Sequence, residues 1–143
     1  MITESIHEQF LLRTFELAEL SVGKGNHPFG AVLVINNEIV LEAENTIAID
    51  KDVTRHAEMN LMSEASKRFS QSELETAILY TSTEPCQMCE GAIYWAGVRN
   101  IVFSCTKESL NSIANNGLPK ESINLVGPLL ENLGEELHKK YWH

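Results

Sequence analysis

The 143 residues carry 20 acidic against 11 basic side chains, a formal charge of −9, and 43% are hydrophobic; such a chain fits a single domain over 1–143 and can bury roughly two thirds of the surface its unfolded form exposes. No apolar run approaches the roughly 20 residues of a membrane span or follows a basic amino terminus as a signal peptide does, so a soluble, cytoplasmic protein without membrane partners is expected. The basic residues form no run longer than two, which disfavours nucleic acid as a partner.

In chain order, Ser5 and Glu8 have capping-box spacing, and Leu11, Phe15, Ala18 and Val22 recur at helical intervals until Gly23 and Gly25. A first amphipathic helix is predicted there. Gly30 to Ile35 is a continuous apolar run, Asn36-Asn37 tolerates positive φ, and Glu38 to Glu44 alternates polar with apolar, so the two runs should form a hairpin. After a polar loop holding Asp50 and Asp52, Ala57, Leu61, Ala65 and Phe69 mark the inner face of a second helix, with His56 and Glu58 in its first turn. Thr76 to Ser82 reads as a third strand, Pro85 opens a third helix that Gly97 stops, and Asn100 to Cys105 is a fourth strand. Lys107 to Ala114 is predicted as a short helix and Ile123 to Val126 as a fifth strand; Leu130, Leu133 and Leu137 form the face of a closing helix. Strands alternating with helices predict an α/β fold, a three-layer α/β/α sandwich around a five-stranded mixed sheet.

Chemistry concentrates in two short runs, Thr-Arg-His56-Ala-Glu58 and Thr-Glu-Pro-Cys86-Gln-Met-Cys89. Cysteines three apart share one helix face, which suits two ligands of one ion. His56 and Glu58 are about 200° apart around a helix, so they serve one site only if they lie at the helix tip. Two helices pointing their amino termini at one metal satisfy both conditions, and the positive ends of those helices favour thiolates. One imidazole and two thiols can hold Zn2+ while leaving a position to water, with Glu58 as the candidate base. Two anionic sulfurs make zinc a weaker acidifier of water than three histidines do, so more of the task falls on that base. A lone Cys-x-x-Cys also occurs in redox proteins and structural half-sites, but a four-thiolate site is excluded because only Cys105 remains. Cys105, closing an apolar strand, is expected to be a buried core thiol, and His7, His27, His138 and His143 to serve surface or packing roles. His-x-Glu about thirty residues before Pro-Cys-x-x-Cys is the signature of zinc base deaminases.

On these motifs the chain resembles the cytidine deaminase superfamily, in the branch of bacterial guanine deaminases, yeast-type cytosine deaminases and tRNA adenosine deaminases. Thr83-Glu84-Pro85-Cys86-Gln87-Met88-Cys89 followed by Gly91-Ala92-Ile93-Tyr94-Trp95-Ala96 is most similar to the guanine deaminase type. The resemblance implies a cytidine deaminase-like fold with His56, Cys86 and Cys89 as zinc ligands and Glu58 as proton shuttle. It further implies that Asn45 and the backbone of Ala57 and Glu84 hold the base, that Phe29 and Trp95 line its pocket, and that the enzyme is a homodimer. Guanine deaminases of this branch carry an aspartate after the fourth strand, whereas Ser104 to Gly117 contains only Glu108 as an acidic residue. Unlike tRNA deaminases, the chain has no basic terminal helix; Tyr141 and Trp142 instead close over a small substrate or anchor the last helix.

The expected function is hydrolytic, zinc-dependent conversion of an exocyclic amine of a small nucleobase or nucleoside, guanine-like or cytosine-like, to a carbonyl with loss of ammonia. Two other readings stay open: deamination of a tRNA adenosine flipped into the same pocket, and a non-catalytic zinc-stabilised binding domain. Glu58 and Asn45 argue against the last, since structure alone requires neither.

Overall fold

A computed structural model describes residues 4–114 and 123–142. In chain order its elements are α1 (Glu4–Gly23), β1 (Gly30–Ile35), β2 (Glu38–Glu44), α2 (Ile47–Asp50), α3 (Ala57–Arg68), α4 (Gln71–Glu75), β3 (Ile78–Thr83), α5 (Gln87–Ala96), β4 (Asn100–Cys105), α6 (Lys107–Ile113) and α7 (Glu131–Tyr141). The hairpin turns where both asparagines take positive φ, 52° at Asn36 and 63° at Asn37, the pairing that matches the twist of the flanking strands. The sheet order is β2-β1-β3-β4; β1 runs antiparallel to β2 and β3, and β3 parallel to β4.

The continuous apolar run of β1 follows from cover on both faces. Val32 and Val34 join Leu17 and Tyr80 beneath α1, while Ala31 and Leu33 join Leu61, Met62, Leu79 and Ile93 beneath α3 and α5. This is the expected three-layer α/β/α arrangement with a mixed sheet. The predicted faces of α3 and of the strands agree with it; that of α1 is rotated. Its buried face runs through Thr14, Leu17, Ala18 and Ser21, whereas Phe15 and Val22 are exposed. The reason is a close approach: a Cβ on Gly30 would lie 2.7 Å from Leu17 Cβ and 2.9 Å from the Ala18 nitrogen. Small residues line the contact, and their hydroxyls are satisfied by Leu11 and Asn45 carbonyls.

Two further expectations are corrected. Ile123 to Val126 is not a strand; Ile123, Leu125 and Val126 are 79–88% exposed, and a short apolar run without a ladder partner gains nothing from extension. The sheet among the described residues is therefore four-stranded. Cys105 is half-buried, because β4 is the outermost strand and its last residue has a neighbour on one side only. The closing helix forms as predicted, but Leu130, Leu133 and Leu137 are 64–78% exposed. Among the described residues no helix is long and apolar enough to cross a membrane.

Candidate active site and metal centre

The loop before α3 is built to present His56. The Asp52 carboxylate accepts from both the amide and the hydroxyl of Thr54, 2.8 and 2.7 Å, an Asx turn that the Asp-x-Thr sequence encodes. Those same bonds hold the Asp52 carboxyl below its ordinary range. The Arg55 amide then donates to the Asp52 carbonyl and the Thr46 amide to the Arg55 carbonyl, so the loop is tied to the end of β2. His56 is the N-cap of α3, with extended φ −68° and ψ 156°, and Glu58 lies in the first turn. Because the N-cap is outside helical geometry, the angular separation of the two residues on an ideal helix no longer applies. They meet at the tip, as their spacing requires.

Cys86 is the N-cap of α5, and Cys89 is buried in its first turn. His56 Nδ1 lies 3.6 Å from Cys86 Sγ and 3.5 Å from Cys89 Sγ, and the three ligand atoms all lie within 4.8 Å of one another. A tetrahedral zinc bound at about 2.0 Å by nitrogen and about 2.3 Å by sulfur separates such atoms by about 3.5 Å. The donor set and its spacing fit that ion. The Cys89 thiol and the His56 ring bring the Cys86 thiol down to about 3, making it the thiolate of the pair. Sharing that proton and burial both push Cys89 up, and the Cys86 thiolate raises His56.

Glu58 is 5% exposed. Burial raises its carboxyl, the Cys86 thiolate adds to the rise, and its own backbone amide and the Thr81 hydroxyl oppose it. A buried carboxyl displaced upward beside thiols and an imidazole has the properties of a proton carrier.

Asn45 is 1% exposed at the end of β2 and held on three sides. Its amide donates to the Phe29 carbonyl at 3.1 Å, its carbonyl accepts from Ser21 Oγ at 2.6 Å, and its Oδ1 accepts from the Ile47 amide at 3.1 Å. With Oδ1 so used, Nδ2 is the free half of the side chain, a donor. Ala57, fully buried, is the first residue of α3, so its amide has no partner within the helix. Glu84 donates its amide to the Cys105 carbonyl at 2.7 Å. Phe29 packs half-buried against the α3-side core. Trp95, by contrast, is 83% exposed, on a groove of about 310 Å³ between α3 and α5 that Arg55, Met59 and Met62 also line. Tyr141 and Trp142 stack edge to face, 4.7 Å apart, and both are exposed. Sequence reasoning did not single out Ser21 or Asn60, whose Nδ2 bonds the Glu44 carbonyl and Thr46 Oγ1. Both hold the strand end that carries Asn45, and a polar residue on an otherwise apolar helix face was their only signal.

Residues 4–105 match the family model of the cytidine and deoxycytidylate deaminase zinc-binding region. The chain belongs to this deaminase family. It is thus a zinc-dependent hydrolase of C–N bonds, and Zn2+ is the ion its His/Cys/Cys group suits. A probable cytosine deaminase of Schizosaccharomyces pombe is 32% identical over 148 residues, covering 93% of this chain and 90% of that protein. The tRNA-specific adenosine deaminase of Bacillus subtilis is 34% identical over 131 residues, with 90% and 81% covered. The solved structure of guanine deaminase from Bacillus subtilis superposes with a TM-score of 0.76 at 30% identity, covering 96% of this chain and 95% of that one.

Proposed function

We propose that this deaminase, as one domain over residues 1–143, hydrolyses the exocyclic amine of a free nucleobase or nucleoside, guanine-like or cytosine-like, to a carbonyl and ammonia. The observation that carries this reading is the buried Glu58 carboxyl at the helix tip where His56, Cys86 and Cys89 converge. In it, His56, Cys86 and Cys89 hold the metal. Bound zinc supplies the acidity that lets a water ionise near neutral pH. Glu58 takes a proton from the attacking water and gives it to the ring nitrogen beside the amino-bearing carbon. It then carries a second proton to the departing amine. One carboxylate acting as base and acid in turn is served by a carboxyl raised toward neutrality.

The polar groups assigned to the base support this substrate class. Asn45 Nδ2 and the Ala57 amide are donors and the Glu84 carbonyl an acceptor, a pattern complementary to a ring carbonyl beside a ring N–H. Guanine, guanosine and free cytosine carry that edge; adenine has no carbonyl, and cytidine, substituted at N1, has no N–H beside its carbonyl. Phe29, and Trp95 through its place beside α3, are the apolar walls of the same reading. A homodimer belongs to it as well: Tyr94 and Trp95 on α5 are 63% and 83% exposed, apolar area suited to a second copy.

Glu58→Gln tests the reading. It should keep zinc at wild-type stoichiometry while kcat for ammonia release falls by about 10² to 10⁴; turnover within tenfold of wild type would refute the assignment. Substrate is decided by ammonia release across guanine, cytosine, adenine, their nucleosides and triazine analogues. The second reading, a tRNA adenosine substrate, is favoured by the 34% identity to a tRNA-specific adenosine deaminase over 90% of the chain and opposed by the charge of −9. Binding to an anticodon stem that weakens steeply with salt would support it.

A further inference from the structure

Glu84 has a side chain for which base recognition through its backbone gives no role. The last pair of the β3–β4 ladder is Thr83 with Cys105, and the Glu84 amide extends that ladder by one bond to the Cys105 carbonyl. Pro85 follows, which removes the next donor and holds Glu84 extended. The Glu84 carboxylate then reaches past the strand end: Oε1 accepts the Lys107 amide at 3.0 Å, and Oε2 lies 3.8 Å from Lys107 Nζ. Lys107 is the first residue of α6, whose N-cap Thr106 already accepts the Ser109 amide. Glu84 is thereby fixed by its own amide, by the following proline and by its carboxylate, and what those constraints leave defined is the direction of its carbonyl.

We propose that Glu84 is a positioning residue: its carboxylate, clamped on the Lys107 backbone amide, sets the carbonyl of residue 84 that reads the N–H edge of the substrate. This deepens the function proposed above and rests on its placement of the base. The clamp joins the strand end beside Cys86 to α6, so a change in the α6 segment is transmitted to the acceptor without touching the metal ligands.

The chemistry allows a clean test because the acceptor and the donor can be removed separately. Glu84→Ala removes the acceptor. Lys107→Pro removes the amide donor together with the ammonium, whose share Lys107→Ala isolates; it does so at a first helical position where proline is tolerated, after Thr106 with φ −73° and ψ 156°, a conformation that suits the residue before proline. Both variants should hold zinc at wild-type stoichiometry and raise KM by on the order of tenfold, the loss of one aligned hydrogen bond, with kcat within about threefold. The double variant should be no worse than either single one. Glu84→Gln, which keeps an acceptor, should recover most of the loss, and Lys107→Ala, which keeps the amide, should leave KM near that of the wild type. Wild-type KM in Lys107→Pro, additive effects in the double variant, or loss of zinc in Glu84→Ala would overturn the proposal. Wild type, Glu84→Ala, Lys107→Pro and their double variant also give a thermal-melting cycle that needs no substrate. If the wild type releases ammonia from no base, the proposed function fails, and the clamp is then judged by that cycle, where additive melting shifts overturn it.

Discussion

Gly30→Ala should cost more than an ordinary methyl insertion, and the structure says how much. The new Cβ would stand closer than 3.0 Å to three atoms: the Thr14 carbonyl oxygen, Leu17 Cβ at 2.7 Å and the Ala18 nitrogen at 2.9 Å. Two of the three are backbone, so no rotamer change relieves them and α1 must separate from β1. Overpacking costs roughly 1–3 kcal/mol where side chains can adjust; with backbone in the way about 3 kcal/mol is expected. A domain of this length unfolds with an entropy near 0.3 kcal/mol per degree, so the melting temperature should fall by about 10 °C. The displacement also reaches the site, since Phe29 precedes Gly30 and its carbonyl holds the Asn45 amide. Thermal unfolding of the zinc-loaded variant, followed by circular dichroism, is the assay. A fall of less than about 2 °C would show that α1 and β1 are not packed this closely.

Ser21→Ala leaves the buried Asn45 carbonyl without the hydroxyl at 2.6 Å; about 1–3 kcal/mol of stability should go, together with a higher KM, and an unchanged KM would refute the link from α1 to Asn45. Stripping zinc with a chelator should lower the melting temperature reversibly, by an amount that grows with free zinc when the ion is returned; a melting temperature indifferent to zinc would refute the His/Cys/Cys site. Glu42 is held below its ordinary value of 4.5 by its bond to Arg13. Its stabilisation is therefore complete above that value and lost as pH falls through the lower folded one. The pair is a third exposed, so only a few tenths to about 1 kcal/mol is at stake. The melting difference between wild type and Glu42→Gln should close below about pH 4.5 and not widen.

The site was legible where local chemistry dictates it. His56 and Glu58 are too far apart around a helix to share a target except at its tip, and Cys86 and Cys89 are at the spacing of one face; both constraints survive into the fold. Asn36-Asn37 and the doubly covered β1 were readable for similar reasons. What escaped depends on contacts between distant segments. Hydrophobic spacing points to the wrong face of α1 because Thr14 and Ser21 are polar, and only the approach of Gly30 and the need of Asn45 for a donor explain their burial. Ile123 to Val126 has the composition of a strand, yet composition cannot supply a ladder partner. Cys105 was expected inside because its strand is apolar, but the order of the strands puts β4 at the edge. The tie between Glu84 and Lys107 spans 23 residues and has no local signature at all.

The candidate donors for zinc lie at the starts of two helices that follow different strands, α3 after β2 and α5 after β3. The two thiols are local to the start of one helix, whereas the imidazole reaches them across the antiparallel pairings of β1 with β2 and β3. An ion held by all three would therefore cross-link the segments on either side of that pairing, so zinc binding and the central antiparallel pairing would stabilise one another.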